Sequence, residues 1–180
     1  MLRARPVVLL SALCCATVGA CSGAAVSALP CGDDRGSGRV VAVYRAMLGD
    51  PDHPDAASAT RLYVSTTLTN GEGLGTSAGV MSDAVKQCLS GGVAGLPPVS
   101  LVYGNDDPSI PTAPSAVGSI RSFIGHVVFV SFGDVVVVGS KAISSVTVDK
   151  GGGDVAGGEY VLKIGASGAT IVSTNVRWVS

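Results

Sequence analysis

The last third of the chain constrains the fold most. Five runs rich in valine, isoleucine and threonine occupy 126–132, 134–138, 142–150, 159–164 and 170–178. Gly133, Gly151-Gly152-Gly153-Asp154 and Ala166-Ser167-Gly168 punctuate them. β-Branched side chains lose rotamer freedom in a helix and pack well on a pleated surface, and glycine clusters mark tight turns. The pattern predicts a β-meander. Charged residues are 14% and aromatic residues 4% of the whole chain, so the core must be built from small apolar side chains.

The preceding segment carries helical periodicity. In 39–48, Val40, Val41, Tyr44, Met47 and Leu48 share one helical face, with Ser37 as the expected cap and Gly49 as the stop. Residues 61–68 alternate as a strand through Leu62, Val64, Thr66 and Leu68. A second helix is expected over 77–90, capped by Ser77, with Val80, Ala84, Val85, Cys88 and Leu89 inward and Gly91-Gly92 ending it. Residues 99–103 read as a short strand. Residues 105–125, with three prolines, read as a long surface loop. The four tyrosines fall inside expected elements, which suggests core duty for Tyr44, Tyr63, Tyr103 and Tyr160. The expected fold class is α+β, with two helices packed on a mostly antiparallel, meander-rich sheet.

The first residues read as an export signal. Arg3 and Arg5 precede an apolar stretch of about a dozen residues, too short to span a bilayer as a helix. Val18-Gly19-Ala20-Cys21 closes it. These four residues resemble the lipobox of bacterial lipoproteins, in which the cysteine receives diacylglycerol and becomes the first residue after cleavage. The resemblance implies a lipid on Cys21 and attachment to the extracytoplasmic face of the cell membrane. Residues 1–20 would then be a signal peptide, 21–38 a flexible tether and 39–180 a single globular domain. The alternative is free secretion, with cleavage after Ala28 in Ala25-Val26-Ser27-Ala28.

Either route discards Cys14 and Cys15 and leaves Cys31 and Cys88 beyond the anchor. An even pair in an oxidising compartment suggests a disulfide, the alternative being two separate buried thiols. Without Arg3 and Arg5, ten of the twelve basic residues remain against thirteen acidic ones, a net charge of about −3. With no basic block, nucleic-acid binding has no electrostatic footprint. The C-terminal Tyr-Val-Leu-Lys-Ile, short turn and Ala-Thr-Ile-Val-Ser-Thr-Asn-Val-Arg-Trp-Val-Ser resemble the end of uncharacterised exported bacterial proteins, and that likeness carries no activity.

Three motifs invite chemistry. Gly75-Thr76-Ser77-Ala78-Gly79 fits G-x-S-x-G and resembles the serine motif of patatin-like lipases. Asp106 or Asp107 and then His126 follow in hydrolase order, which makes a small serine hydrolase the alternative function. Against it, six residues separate the strand from the motif, no βαβα alternation is present, and no Asp-Gly pair exists to supply the patatin aspartate. Helix capping is the expected role of Ser77. Gly73-Leu74-Gly75-Thr76-Ser77-Ala78 also fits a permissive dinucleotide fingerprint, but it lacks a second βαβ half, and no cofactor is expected. Asp50, Asp52, His53 and Asp55 could offer oxygen ligands to Ca²⁺, but Pro51 and Pro54 stiffen the loop and no EF-hand glycine is present, so no metal is expected either. The sequence points to an exported, membrane-tethered domain that binds a protein or a small envelope ligand, with the 105–125 loop as its expected binding surface.

Overall fold

The computed structural model describes residues 36–50, 56, 58–70, 77–92, 95–113 and 122–179. Helix α1 is Ser37–Leu48 and buries Val41, Val43, Tyr44, Met47 and Leu48. Ser37 is its first helical residue rather than its cap. Gly36, at φ 68°, takes the cap position, and the Gly49 N–H closes the helix onto the Arg45 carbonyl at 3.0 Å.

The expected strand at 61–68 splits at Thr66 into β1 (Arg61–Ser65) and β2 (Thr67–Thr69). β2 pairs antiparallel with β3 (Ser77–Val80). Ser77 therefore opens a strand, not the second helix. That helix, α2, is Asp83–Ser90. Its cap is Ser82, in extended backbone, whose Oγ accepts the Val85 N–H at 3.4 Å, with Asp83 favourably placed in the first turn. Val85, Cys88 and Leu89 face inward as expected, while Val80 is exposed on β3. Glycine is a poor helix residue, and Gly79 sits in the segment that became strand.

The strands that follow are β4 (Val99–Val102), β5 (Thr112–Ala113), β6 (Ser122–Phe123), β7 (Val127–Phe132), β8 (Val136–Val138), β9 (Lys141–Asp149), β10 (Val155–Gly165) and β11 (Gly168–Val179). The main sheet has seven strands in the order β11-β10-β9-β7-β1-β4, with β8 also on β9. The fold is α+β, but the sheet is mixed rather than mostly antiparallel. β1 lies between β4 and β7 and runs parallel to both, in registers Leu62↔Val99 and Leu62↔Val128. Parallel neighbours need crossovers. The segment through β2, β3 and α2 makes one, and the segment through β5 and β6 makes the other. From β8 through β9 and β10 to β11 consecutive strands pair antiparallel, as the turn signals indicated, but the expected meander breaks at Gly133: β7 and β8 do not pair, and both lie on the same edge of β9. Gly151, Gly152 and Gly153 turn β9 into β10 at φ 81°, 70° and 89°, a run that side chains with a Cβ adopt only with strain.

Parallel strands read as apolar runs because both faces are covered, and β7 is buried at every position. On one face, Leu62, Val64, Val128, Val130, Phe132, Val146, Val148, Tyr160 and Leu162 form a core with both helices. α1 lies against β9, β10 and β11, while α2 lies against β4 and α1. The Arg45 guanidinium, in the last turn of α1, donates to the carbonyls of Cys88 and Gly92 at 3.4 Å each. It places positive charge at the carbonyl end of α2, where the helix dipole favours it.

On the opposite face, Tyr63, Val102, Val127, Phe129 and Ile110 form a second core with Phe123. The reading of 105–125 as a surface loop fits most of its described residues, but Ile110 and Phe123 turn inward. Its described residues include the β5–β6 ladder, Thr112↔Phe123 and Ala113↔Ser122, and Ile110 is only 2% exposed. Ile110 and Phe123 pack under the sheet because Tyr63 and Phe129 present an apolar face there. Tyr103 is a further correction. It is 74% exposed, whereas Tyr44, Tyr63 and Tyr160 are buried.

Gly133 joins the layers. Its carbonyl accepts hydrogen bonds from Tyr44 Oη and Ser144 Oγ, both at 3.1 Å, and its N–H donates to Ser145 O at 2.8 Å. A Cβ here would collide with Ser145 Oγ and press on the Thr69 carbonyl at 3.3 Å. Gly133→Ala is expected to destabilise the fold by about 1–3 kcal/mol through overpacking. Urea unfolding would register this as a lowered midpoint at unchanged slope.

Candidate functional site

The topology places the residues of the hydrolase motif at two ends of the sheet. Ser77 pairs with Thr69, and Thr69 bridges to Gly133 just beyond the end of β7. His126 precedes the start of β7. Seven residue steps of extended chain separate His126 from Gly133, roughly 23 Å at strand rise. Two cross-strand spacings of about 5 Å return at most 10 Å of that, so the Ser77 and His126 backbones lie at least about 13 Å apart. A nucleophile and its base must approach to about 3 Å. Asp106 and Asp107 follow β4 and so lie at the Ser77 end.

His126 and Asp107 already have structural work. The His126 ring Nδ1 lies 2.8 Å from the Ser58 carbonyl, so this nitrogen carries the proton and donates. The His126 carbonyl accepts from Thr60 through both N–H, at 2.6 Å, and Oγ1, at 2.9 Å. The Asp107 carboxylate accepts from Ser109 Oγ at 2.6 Å, Ser109 N–H at 2.9 Å and Tyr103 N–H at 3.3 Å. Those hydrogen bonds, the Ser109 hydroxyl first, hold its pKa below the ordinary carboxylate value. They tie the chain leaving β4 into a turn.

Of the four residues considered for calcium, Asp52, His53 and Asp55 lie outside the described residues, and Asp50 is buried. Among the described residues, no group of three or more His, Cys, Asp or Glu side chains could hold a metal ion. No described helix is long and apolar enough to cross a membrane. Cys21 and Cys31 lie outside the described residues. Cys88, on the inner face of α2, is disulfide-bonded.

One surface has the character of a binding site, and it lies away from all of these motifs. On the face opposite the helices, Thr147 and Asp149 of β9 are buried beside β7, while the other end of β9, with β8, β10 and β11, carries an exposed patch. There Val136, Val138, Ile143 and Val172 are 57%, 71%, 42% and 64% exposed. Val136, Ile143, Val161 and Ser173 stand in one cross-strand row. The neighbouring row is Val138, Lys141, Lys163 and Thr170. Two like charges directly opposite each other are unfavourable within a sheet. On the other side of the apolar row stand Ser145, Glu159 and Asn175.

Sequence reasoning missed this patch. Residues 134–138 read as one more strand of the meander, yet β8 is a short hairpin arm carried by β9 and exposed at all three positions. Val172 is a β-bulge residue, the register stepping from Val161↔Ser173 to Leu162↔Ile171. Comparison of the chain with protein-family models, curated proteins and solved structures returns no match.

Proposed function

We propose that the protein is an exported lipoprotein, held on the extracytoplasmic face of the cell membrane by lipid on Cys21, and that its folded domain is an interaction module rather than an enzyme. The observation that carries this reading is Val18-Gly19-Ala20-Cys21 at the end of a short apolar stretch preceded by Arg3 and Arg5. The disulfide at Cys88 supports it, since such bonds persist in oxidising compartments. The separation of Ser77 from His126 counts against hydrolysis, and the net negative charge counts against nucleic acid. More than one acyl chain on the processed cysteine gives stable anchoring, where a single chain would dissociate. The partner is then a protein or a small ligand of the envelope.

Intact mass of the protein purified from membranes tests the reading. The expected species begins at Cys21 and carries added lipid mass. A soluble, unmodified species beginning at Leu29 would replace anchoring with free secretion.

A further inference from the structure

We infer that the open face of β8 to β11 is the docking surface for a second copy of the same chain, which packs sheet against sheet about a two-fold axis. This names a partner for the interaction module proposed above, and rests on that reading only for the confinement that concentrates it. The argument begins with the exposed valines. Among the described residues, the layer opposite the helices reaches from β4, β1 and β7 onto β9 as far as Thr147 and stops before Ile143, and β8 is exposed on both faces, Val137 included. A sheet face carrying Val136, Val138, Ile143 and Val172 lacks its second layer.

The charges then select the occupant. Along β10, Lys163, Val161 and Glu159 project to this face two residues apart, with the apolar row in the middle. Consider a two-fold axis lying in the interface along the row Val136, Ile143, Val161, Ser173. Rotation about it lays Val161 over its own copy and brings Lys163 of each chain over Glu159 of the other. Lys141, beside Lys163, comes over the Ser145 position next to that same Glu159. The unfavourable Lys141–Lys163 neighbourhood thus meets an acid supplied by the second copy. The rotation also runs the two sheets antiparallel, within the aligned geometry in which sheets pack face to face. An isologous interface needs this kind of self-complementarity.

Four strands of about 4.8 Å spacing and five residues of about 3.3 Å rise give a flat footprint on the order of 300 Å² per copy. That is below the roughly 800 Å² per partner of standard stable interfaces, so the dimer is transient in dilute solution. Confinement of both copies to one membrane would raise its population.

Sedimentation equilibrium of the full chain in density-matched detergent, from about 1 to 500 μM, tests the proposal. A reversible monomer–dimer equilibrium is expected. K163E alone should weaken it at least about tenfold, as should E159K, because each places like charges across the axis. The double variant K163E/E159K should return the affinity to within about threefold of the starting chain, since the two-fold exchanges the swapped charges. Ile143→Asp, on the exposed central row, should abolish the dimer, and unchanged thermal unfolding of each variant would establish that it folds. A monomer at every concentration overturns the proposal. So does a dimer indifferent to Ile143→Asp, or single variants that weaken it without rescue in the double. None of these readouts depends on lipid, so loss of the dimer and loss of the anchor are separately visible.

Discussion

Tyr44→Ala is expected to lower the unfolding free energy by about 3–5 kcal/mol, the range for removing a large aromatic side chain from a core. Tyr44 is 1% exposed. Its ring stacks on Phe132 with centroids 4.2 Å apart and planes 12° from parallel. Its hydroxyl reaches the Gly133 carbonyl at the point where β7 ends. Alanine would leave a cavity between α1 and the centre of the sheet, lined by side chains already held by their own elements. Tyr44→Phe separates the parts. It keeps the ring and loses only the hydrogen bond, a cost of about 1 kcal/mol or less, since Ser144 Oγ still satisfies the same carbonyl. Denaturant unfolding of the two variants should therefore differ severalfold. Equal losses would mean that the hydroxyl, not the packing, dominates.

The same residue sets an alkaline limit. Burial, with the Asp134 carboxylate adding to it, pushes the Tyr44 phenol well above its ordinary value near 10. The folded state thus holds the proton that the unfolded chain releases. The resulting stabilisation is complete below pH 10 and is lost as the pH rises above it. Tyr44→Phe should remove this limb of the stability profile, leaving the variant less sensitive than the parent between pH 10 and 11.

What could be read from the sequence depended on range. The strands from β8 to β11 were legible because each pairs antiparallel with the next across a turn, and glycines announce those turns; that β7 skips β8 to pair with β9 was not. Helix α1 was legible because Val41, Tyr44 and Leu48 repeat at helical spacing against one face. The direction of β1 relative to β4 and β7 was not legible. It is set by crossovers whose path depends on contacts such as Ile110 against Phe129, far apart in the chain and invisible in local periodicity. Ser77 illustrates a local ambiguity. Both Ser77 and Ser82 suit a helix cap, and pairing of β3 with β2 decides between them. The motif residues were legible as types but not as neighbours. Distance between Ser77 and His126 is a property of the β1–β7 register, which no spacing rule supplies. The open face was least legible of all, since a valine in a strand carries no mark of whether its face is covered.

Cys88→Ala is expected to cost about 4 kcal/mol if Cys31 is the partner, because the bond then closes a loop of 57 residue steps, from position 31 to position 88, and removes that much chain freedom from the unfolded state. The bond would hold the chain entering α1 against α2, beside the place where Arg45 bonds the end of α2. Cys31→Ala should then give the same loss, and the double variant no more than either single one, since two residues of one bond are not additive. Reductant should lower the midpoint of the parent and leave all three variants unmoved. The informative alternative is a Cys31→Ala variant with parental stability. The partner of Cys88 would then have to be Cys14, Cys15 or Cys21, the remaining cysteines of the chain. Cys14 and Cys15 would require that the signal segment is retained. Cys21 would require a sulfur free of lipid, because a thioether to diacylglycerol leaves none for a disulfide. Each of those outcomes removes the anchor. Pairing of Cys31 with Cys88 is thus the one arrangement of the five cysteines that leaves Cys21 free to carry the lipid after the signal is removed.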